Sequence, residues 1–269
     1  MDRYAVLGQP IAHSLSPRIH ALFAAQTGMT LRYEAIEVSA EELDEHLCGL
    51  HAQGYCGLNL TLPHKVLALA LCETRSARAE RAGAVNTLVR SGPGWHGENT
   101  DGIGLVRDLR HNLGLAIAGK RLLVLGAGGA TRGILEPLLA EQPAELVISN
   151  RNPWKPEQLA ADFKALGPIR PCTHLALKGD VFDLVINATS AGHDGEAPRL
   201  PPGLLAPGAV AYDLNYGKAA LPFLGWAAAQ GAARRCDGLG MLVEQAAEAF
   251  QLWRGVRPET APVLGQLRS

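Results

Sequence analysis

The sequence predicts a two-domain α/β protein, and three observations support this prediction. The chain has 269 residues, which is longer than a domain with a single hydrophobic core usually is. Apolar runs typical of buried strands alternate with helical patterns in both halves, which favours mainly parallel sheets. Near the middle, the apolar run at residues 121–125 ends in the glycine-rich string GAGGATR, the pattern of a strand, a tight turn and a helix.

The first half of the chain begins with an apolar strand at residues 4–7. A helix follows at 16–28, with Ser16 as its N-cap and Pro17 in its first turn. The polar, glycine-rich stretch 91–100 is predicted to be a connection. The other elements predicted here are strands at 31–38, 57–60 and 84–89 and helices at 41–50, 63–71 and 102–113, the last leading into the second domain.

From residue 120 the alternation restarts, and its order is that of a Rossmann-type unit. Two helical segments close the chain after Cys236. The predicted elements are strands at 121–125, 145–149, 182–188 and 209–214 and helices after the glycine turn and at 156–166, 239–253 and 259–267.

The glycine-rich turn predicts a phosphate-binding site. Its glycines permit positive φ and a close approach of the backbone to a pyrophosphate, towards which the first N–H groups of the next helix point. A chain that binds NAD usually carries an acid about twenty residues later, for the ribose 2′-hydroxyl. This chain has Asn150, Arg151 and Asn152 there. A cation at that point suits a 2′-phosphate, so the sequence predicts NADP as the cofactor.

Composition argues against several classes of function. The net charge is −1 and the cations are scattered, so no surface for nucleic acid or for a membrane is expected. The five cysteines lack CxxC or Cys/His spacing, which predicts reduced thiols and no metal site. No leader-like apolar segment stands at the start, and we expect a cytoplasmic protein. The sequence leaves the oligomeric state open, a homodimer included.

Five ordered motifs outside the glycine turn carry a family resemblance: GQPIAHSLSP (8–17), NLTLPHK (59–65), AVNTL (84–88), ENTDGIG (98–104) and GLGMLVEQAAEAFQLWRG (238–255). With these motifs the chain resembles the shikimate dehydrogenases. The resemblance implies NADPH-dependent reduction of 3-dehydroshikimate to shikimate, in the biosynthesis of chorismate and aromatic amino acids. It also implies a substrate-binding domain at 1–101, completed by helices within 237–269, and an NADP-binding Rossmann domain at 102–236.

The resemblance places the catalytic pair at Lys65 and Asp101. Reduction of a ketone creates negative charge on its oxygen, which an ammonium can stabilise or protonate. A nearby carboxylate favours the charged form of the lysine. Each residue has an ordinary alternative: a lone lysine on a helix is usually solvated, and Thr100 and Asp101 stand where a cap would precede the helix at Gly102.

The resemblance also assigns six substrate-binding residues. Ser14 and Ser16 match the pair that binds the carboxylate; Ser16 has the alternative of capping its helix, whereas Ser14 has no such local role. Thr61, Asn86 and Gln245 would bind ring hydroxyls, although each alone is more often an ordinary polar residue. Tyr216 would reach the carboxylate.

On the cofactor side, the resemblance and the turn chemistry agree. Asn152 and Lys155 stand where the family more often has threonine and arginine, and Thr131 replaces the third glycine of the general motif. Solvation is the ordinary alternative for Lys155. The cofactor-binding residues implied are Gly126, Ala127, Gly128, Gly129, Ala130, Asn150, Arg151, Lys155, Thr189, Leu214, Gly238 and Met241.

Two other functions stay open at this point. One is a quinate/shikimate dehydrogenase of broader specificity, for which an acid and NAD would be expected in place of Arg151 and NADP. The other is a non-catalytic, NADPH-responsive binding protein on the same scaffold, which the presence of both Lys65 and Asp101 disfavours.

Overall fold

A computed structural model describes residues 1–269 and divides into two compact units. The first unit comprises 1–107 and 242–269, and the second unit comprises 108–241. The sequence predicts boundaries after residues 101 and 236, slightly earlier along the chain, because the helix that follows Thr100 packs with the first unit as far as Arg107.

Twelve strands and ten α-helices make up the two units. The strands are β1 (Asp2–Gly8), β2 (Leu31–Glu37), β3 (Tyr55–Leu60), β4 (Thr74–Arg75), β5 (Thr87–Ser91), β6 (Gly94–Glu98), β7 (Arg121–Leu125), β8 (Glu145–Asn150), β9 (Ile169–Thr173), β10 (Phe182–Asn187), β11 (Leu205–Asp213) and β12 (Arg234–Cys236). The helices are α1 (Ser16–Thr27), α2 (Leu43–Ala52), α3 (His64–Leu71), α4 (Ala77–Ala82), α5 (Asp101–Arg107), α6 (Gly129–Ala140), α7 (Trp154–Phe163), α8 (Leu221–Ala229), α9 (Leu239–Arg254) and α10 (Thr260–Arg268).

The first unit is built on a six-stranded sheet in the order β2-β1-β3-β5-β6-β4. The pairs β1–β2, β1–β3 and β4–β6 are parallel, and the pairs β3–β5 and β5–β6 are antiparallel. Buried aliphatic residues of β1, β3, β5 and the helices α2 and α3 form one core on this sheet, with Trp95 of β6 closing it. Burial of this apolar surface is the main stabilising term for the unit.

The second unit has a six-stranded sheet in which every pairing is parallel, in the order β12-β11-β10-β7-β8-β9. Its central strands read as continuous apolar runs because helices cover both faces of such a sheet. Leu123, Leu125, Val147 and Val185 are fully buried in its core. The predicted α/β class with mainly parallel sheets is therefore confirmed.

Three local predictions are wrong. Ser16 is the first residue of α1 and not its N-cap, because Leu15 occupies the cap position without a side-chain bond. The stretch 91–100 contains β6, which pairs with β5 as a hairpin. The single helix predicted at 102–113 is α5 followed by a π-helical segment, Asp108–Asn112. No helix in the chain has both the length and the apolar character that spanning a membrane requires.

Candidate active site

The turn between β3 and α3 places Lys65 at the carboxyl edge of the first sheet. Thr61 N donates to Leu7 O over 2.9 Å, and His64 N donates to Thr61 O over 2.9 Å, so the turn is tied both to β1 and to itself. The buried His64 ring bonds Val38 O at 2.9 Å, and burial lowers the pKa of this histidine. His64 therefore anchors the start of α3 and leaves its neighbour Lys65 to face the site.

Lys65 and Asp101 meet in the structure. Lys65 Nζ donates to Asp101 Oδ2 over 2.6 Å, and the two side chains are 19% and 5% exposed. The short distance and low exposure make this a charge-assisted hydrogen bond in a setting that water screens poorly. Asp101 is the first residue of α5 and not its cap, and its carboxylate oxygens bond Lys65 and Asn86.

Asn86 holds the other oxygen of the same carboxylate. Its Nδ2 donates to Asp101 Oδ1 over 2.8 Å and to Thr100 Oγ1 over 2.9 Å. In return, Asn86 Oδ1 accepts from Thr100 N at 2.8 Å. These buried bonds fix the carboxylate in one orientation, so the direction in which it presents Lys65 is fixed as well.

Gln245 on α9 closes the same cluster within the first unit. Its Oε1 lies 3.4 Å from Asn86 Nδ2 and 3.4 Å from Thr100 Oγ1. Gly104 of α5 allows this approach, because a Cβ added there would lie 2.7 Å from Gln245 Cβ. Lys65, Asp101, Asn86 and Gln245, predicted from four separate segments, are thus brought together, and Thr61 lies in the turn just before Lys65.

A buried chain of hydrogen bonds behind this cluster was not predicted from the sequence. Tyr33 Oη donates to Asn59 Oδ1 over 2.8 Å, and Asn59 Nδ2 donates to Thr87 Oγ1 over 3.0 Å. Thr87 Oγ1 then donates to Asn86 Oδ1 over 3.0 Å. The signal available was the placement of Asn59 and Thr87, polar residues within otherwise apolar strands, where burial requires a partner.

Ser14 and Ser16 lie at the start of α1, and their local roles are the reverse of those expected. Ser14 Oγ accepts from Ser16 N at 3.3 Å, so Ser14 has the local backbone bond. Ser16 is buried. Burial raises the pKa of Tyr33 well above the usual value, and the Ser16 side chain acts in the opposite direction. Two hydroxyls beside the first N–H groups of a helix form a suitable seat for an anion.

In the second unit, the glycine-rich turn joins β7 to α6. Gly126 has a φ of +101°, which only glycine adopts easily, and a Cβ there would lie 3.0 Å from Ala188 O. The helix begins at Gly129 after Gly128 as N-cap. The buried Thr131 donates its hydroxyl to Gly126 O over 3.0 Å, which explains how threonine substitutes for the third glycine.

This turn fits a dinucleotide. A Cβ added to Gly128 would have no atom within 4 Å, so the backbone there is open to an approaching phosphate. The residues Gly126, Ala127, Gly128, Gly129 and Ala130 all lie in this turn or the first turn of α6.

The segment after β8 presents cations to solvent. Arg151 directly follows the strand and is exposed. Lys155 lies in the first turn of α7, a helix that begins at Trp154, two residues before the predicted start at 156. Asn150 Nδ2 donates to Asn152 O over 3.2 Å, and Asn152 Oδ1 accepts from Trp154 N at 3.3 Å. The two asparagines therefore shape the loop that carries the cations.

The remaining predicted cofactor residues follow the ends of β10 and β11 or begin α9. Thr189 Oγ1 donates to Asn187 Oδ1 over 2.8 Å, and Asn187 Nδ2 donates to the buried Asp213 over 2.9 Å. Burial raises the pKa of Asp213 to about 6. Tyr216, predicted to bind substrate, follows β11 in the second unit. The structure places the others, Leu214, Gly238 and Met241, in the same unit.

A Rossmann-type unit with a phosphate-binding turn and a cationic loop, together with an α/β unit that holds a partly buried lysine–carboxylate pair, defines a nicotinamide-dependent oxidoreductase. Family models match most of the chain. They are the shikimate dehydrogenase substrate binding domain (6–88), shikimate / quinate 5-dehydrogenase (109–194) and the shikimate 5′-dehydrogenase C-terminal domain (238–268).

Curated relatives agree over full length. The chain is 55% identical to the NADP(+) shikimate dehydrogenase of Methylococcus capsulatus over 100% of this chain and 96% of that protein. It is 54% identical to the enzyme of the same name from Dechloromonas aromatica over 100% and 98%. The chain belongs to the family of NADP-dependent shikimate dehydrogenases.

Solved structures share the fold over nearly the whole chain. An Ael1 enzyme from Pseudomonas putida has a TM-score of 0.92 at 47% identity, covering 99% of this chain and 98% of that one. The shikimate 5-dehydrogenase of Thermus thermophilus, solved in complex with NADP(H) and shikimate, has a TM-score of 0.85 at 35% identity, with 100% and 99% covered.

Proposed function

We propose that this protein catalyses the reversible reduction of 3-dehydroshikimate to shikimate with NADPH, in the cytoplasmic biosynthesis of chorismate and the aromatic amino acids. The observation that supports this most directly is the hydrogen-bonded Lys65–Asp101 pair within a buried polar cluster. Bound NADPH would supply the hydride that the reduction consumes. The residues of this chain supply the proton, orient the substrate and bind the cofactor.

Lys65 acts as the proton donor. When the carbonyl carbon is reduced, its oxygen gains negative charge, and the Lys65 ammonium stabilises this charge and transfers a proton to it. In the oxidation of shikimate the amine accepts the proton of the same hydroxyl. Asp101 orients the lysine, because its carboxylate accepts the Nζ hydrogen bond at 2.6 Å and is itself fixed by Asn86.

The substrate ring would be held by neighbours of this pair. Asn86 and Gln245 line the same cluster, and Thr61 lies just before Lys65, so the three can bond the ring hydroxyls. Ser14 and Ser16 would seat the carboxylate at the start of α1, where the helix dipole favours an anion. Tyr216 is proposed as a further carboxylate ligand.

The second unit would hold NADPH. The backbone of the turn from Gly126 to Ala130 would bind the pyrophosphate, and Arg151, Lys155 and Asn150 the 2′-phosphate. Thr189, Leu214, Gly238 and Met241 would line the path of the ribose and the nicotinamide. An arginine at the end of the second strand favours NADP over NAD, since a guanidinium matches a phosphate and not a bare hydroxyl.

A single assay with the purified protein tests the proposal. Formation of reduced cofactor is followed by absorbance with shikimate or quinate as substrate and NADP⁺ or NAD⁺ as cofactor. We expect the highest kcat/KM with shikimate and NADP⁺. Comparable turnover of quinate would instead indicate a dehydrogenase of broader specificity, and cofactor binding without turnover would indicate a binding protein.

A further inference from the structure

The carboxyl edge of the second sheet carries a histidine that the reaction proposed above does not use. His174 directly follows β9, as Arg151 directly follows β8. The two strands are parallel neighbours, and their last residues, Asn150 and Thr173, are paired. Since neighbouring strands lie about 4.8 Å apart, the His174 and Arg151 backbones leave the sheet side by side.

A hydrogen bond fixes the ring of His174. Its Nδ1 lies 2.8 Å from the hydroxyl of the buried Ser149. A serine hydroxyl can donate to a neutral Nδ1 or accept from a protonated one, so this bond tolerates both charge states of the ring. When Ser149 donates to the neutral ring, Nδ1 is the nitrogen that gains the proton, and the serine hydroxyl then accepts from it. When Nδ1–H already donates to Ser149, the proton is gained at Nε2.

The surroundings disfavour the protonated form of this ring. Burial lowers the pKa of His174 first, and the positive charge of Arg151 lowers it further. The other titratable neighbour on β9 is Cys172. Burial raises the pKa of this thiol, so the thiol stays uncharged. Arg151 is thus the charged group that governs the ring.

We propose that His174 belongs to the subsite for the 2′-phosphate and takes up a proton from solvent when that phosphate binds at Arg151. The proposal rests on the function proposed above, which places the phosphate at this arginine. A phosphate dianion offsets the charge of Arg151 and adds an attraction for the proton. The imidazolium then gives the phosphate a further charge-assisted contact, whereas NAD, without the phosphate, produces no such uptake.

Calorimetric titration of the protein with NADP⁺ and with NAD⁺ at about pH 6.5, in two non-phosphate buffers of different ionisation enthalpy, measures the protons exchanged on binding. The variant is His174→Asn, because the asparagine amide can reach Ser149 as Nδ1 does. The matched control is His111→Gln, at an exposed histidine of the same unit. The phosphate's own second pKa of about 6 contributes equally to all three proteins and cancels in the comparison.

We expect the unmodified protein and His111→Gln to take up a few tenths of a proton more per NADP⁺ than His174→Asn, with no difference for NAD⁺. Between pH 6 and 8 the NADP⁺ affinity should also fall more in the unmodified protein than in His174→Asn, by up to about tenfold, the equivalent of one pKa unit. Equal proton uptake in His174→Asn and the unmodified protein would overturn the inference.

A second measurement is made on the intact protein, and the variant serves only to assign the signal. The imidazole resonances of the intact protein, titrated with and without NADP⁺, should show one histidine whose titration moves to higher pH on binding, and its absence from spectra of His174→Asn identifies it. An unmoved histidine rejects the inference even if the variant fails to fold. If NADP⁺ and NAD⁺ bind equally and Arg151→Ala affects neither, the proposed phosphate site itself fails. A preference for NADP⁺ without proton uptake removes only the role of His174.

Discussion

Lys65 Nζ donates a hydrogen bond of 2.6 Å to Asp101 Oδ2, although 36 positions separate the two residues in the chain. The bond joins the first turns of α3 and α5, and the second carboxylate oxygen is held by Asn86. The ammonium therefore has one preferred direction before any ligand arrives. Preorganisation of this kind lowers a barrier because no reorientation is needed when charge develops on the substrate.

Replacing Lys65 with alanine should lower kcat by about 10²- to 10⁴-fold, the range for loss of general acid–base help, with a smaller change in the KM for shikimate. Steady-state kinetics with NADP⁺ and shikimate measure both constants. Lys164→Ala removes an exposed lysine of the second unit and is the charge-matched control, with kinetics expected to match the unmodified protein. A change confined to KM would assign Lys65 to binding alone.

Replacing both Ser14 and Ser16 with alanine should weaken shikimate binding at least about tenfold, because two hydroxyl contacts to a carboxylate are lost at roughly 1 kcal/mol or more each. NADPH affinity should stay within about twofold, since both serines lie in the first unit. Titration calorimetry or fluorescence with each ligand separately gives the two affinities.

Ser91→Ala, at the exposed end of β5, is the control for loss of a serine hydroxyl in the same unit. The carboxylate seat would be refuted by a double variant that binds shikimate as tightly as the unmodified protein. Loss of both affinities together would point to a folding defect, which circular dichroism detects.

Replacing Arg151 with alanine should weaken NADPH binding by roughly 10- to 100-fold and NADH binding little, because a charged hydrogen bond to the 2′-phosphate is lost. Dissociation constants for the two reduced cofactors, measured by fluorescence, give the ratio directly. Arg235→Ala, at an exposed arginine of the edge strand β12, should leave the ratio unchanged. Equal losses for NADPH and NADH contradict the assignment.

Much of the second unit could be predicted from sequence because its signals are local. A glycine with φ of +101° must follow a strand for the backbone to approach a phosphate, and the string GAGGAT shows this directly. The loop that carries Arg151 was predicted because it lies at a set distance from that turn. In the first unit, Lys65 and Asp101 were named from family motifs, and their contact depends on the tertiary fold.

The predictions that failed depend on packing and pairing that the local sequence pattern does not reveal. Stretch 91–100 lacks an apolar run, yet β6 forms because β5 pairs with it and Trp95 enters the core. Ser16 matches a cap in composition, but the helix begins at Ser16 itself, with Leu15 in the cap position. The Tyr33–Asn59–Thr87 hydrogen bonds were missed for the same reason, because the sequence around each of these residues does not indicate which residue it bonds.

His20 gives a prediction about acid stability. The ring is fully buried and stacks on Tyr33 with centroids 4.2 Å apart. Burial lowers the pKa of His20 to about 3, although the Asn59 side chain acts weakly in the opposite direction. The unfolded chain takes up a proton at this histidine near its ordinary pKa of 6.5, whereas the native state does so only near 3. The stabilisation is therefore present above pH 6.5 and is lost as the pH falls towards 3.

His20→Phe keeps the stack and removes the titration. Neither ring nitrogen of His20 has a hydrogen-bond partner of normal geometry, so no bond is lost in the exchange. Urea unfolding at pH 7 and pH 5, followed by circular dichroism, should show a fall in unfolding free energy that is about 2 kcal/mol smaller in His20→Phe than in the unmodified protein. His13→Gln, at an exposed histidine of the same unit, is the control and should reproduce the unmodified fall. If all three proteins lose stability equally, the buried imidazole is not the source of the acid sensitivity.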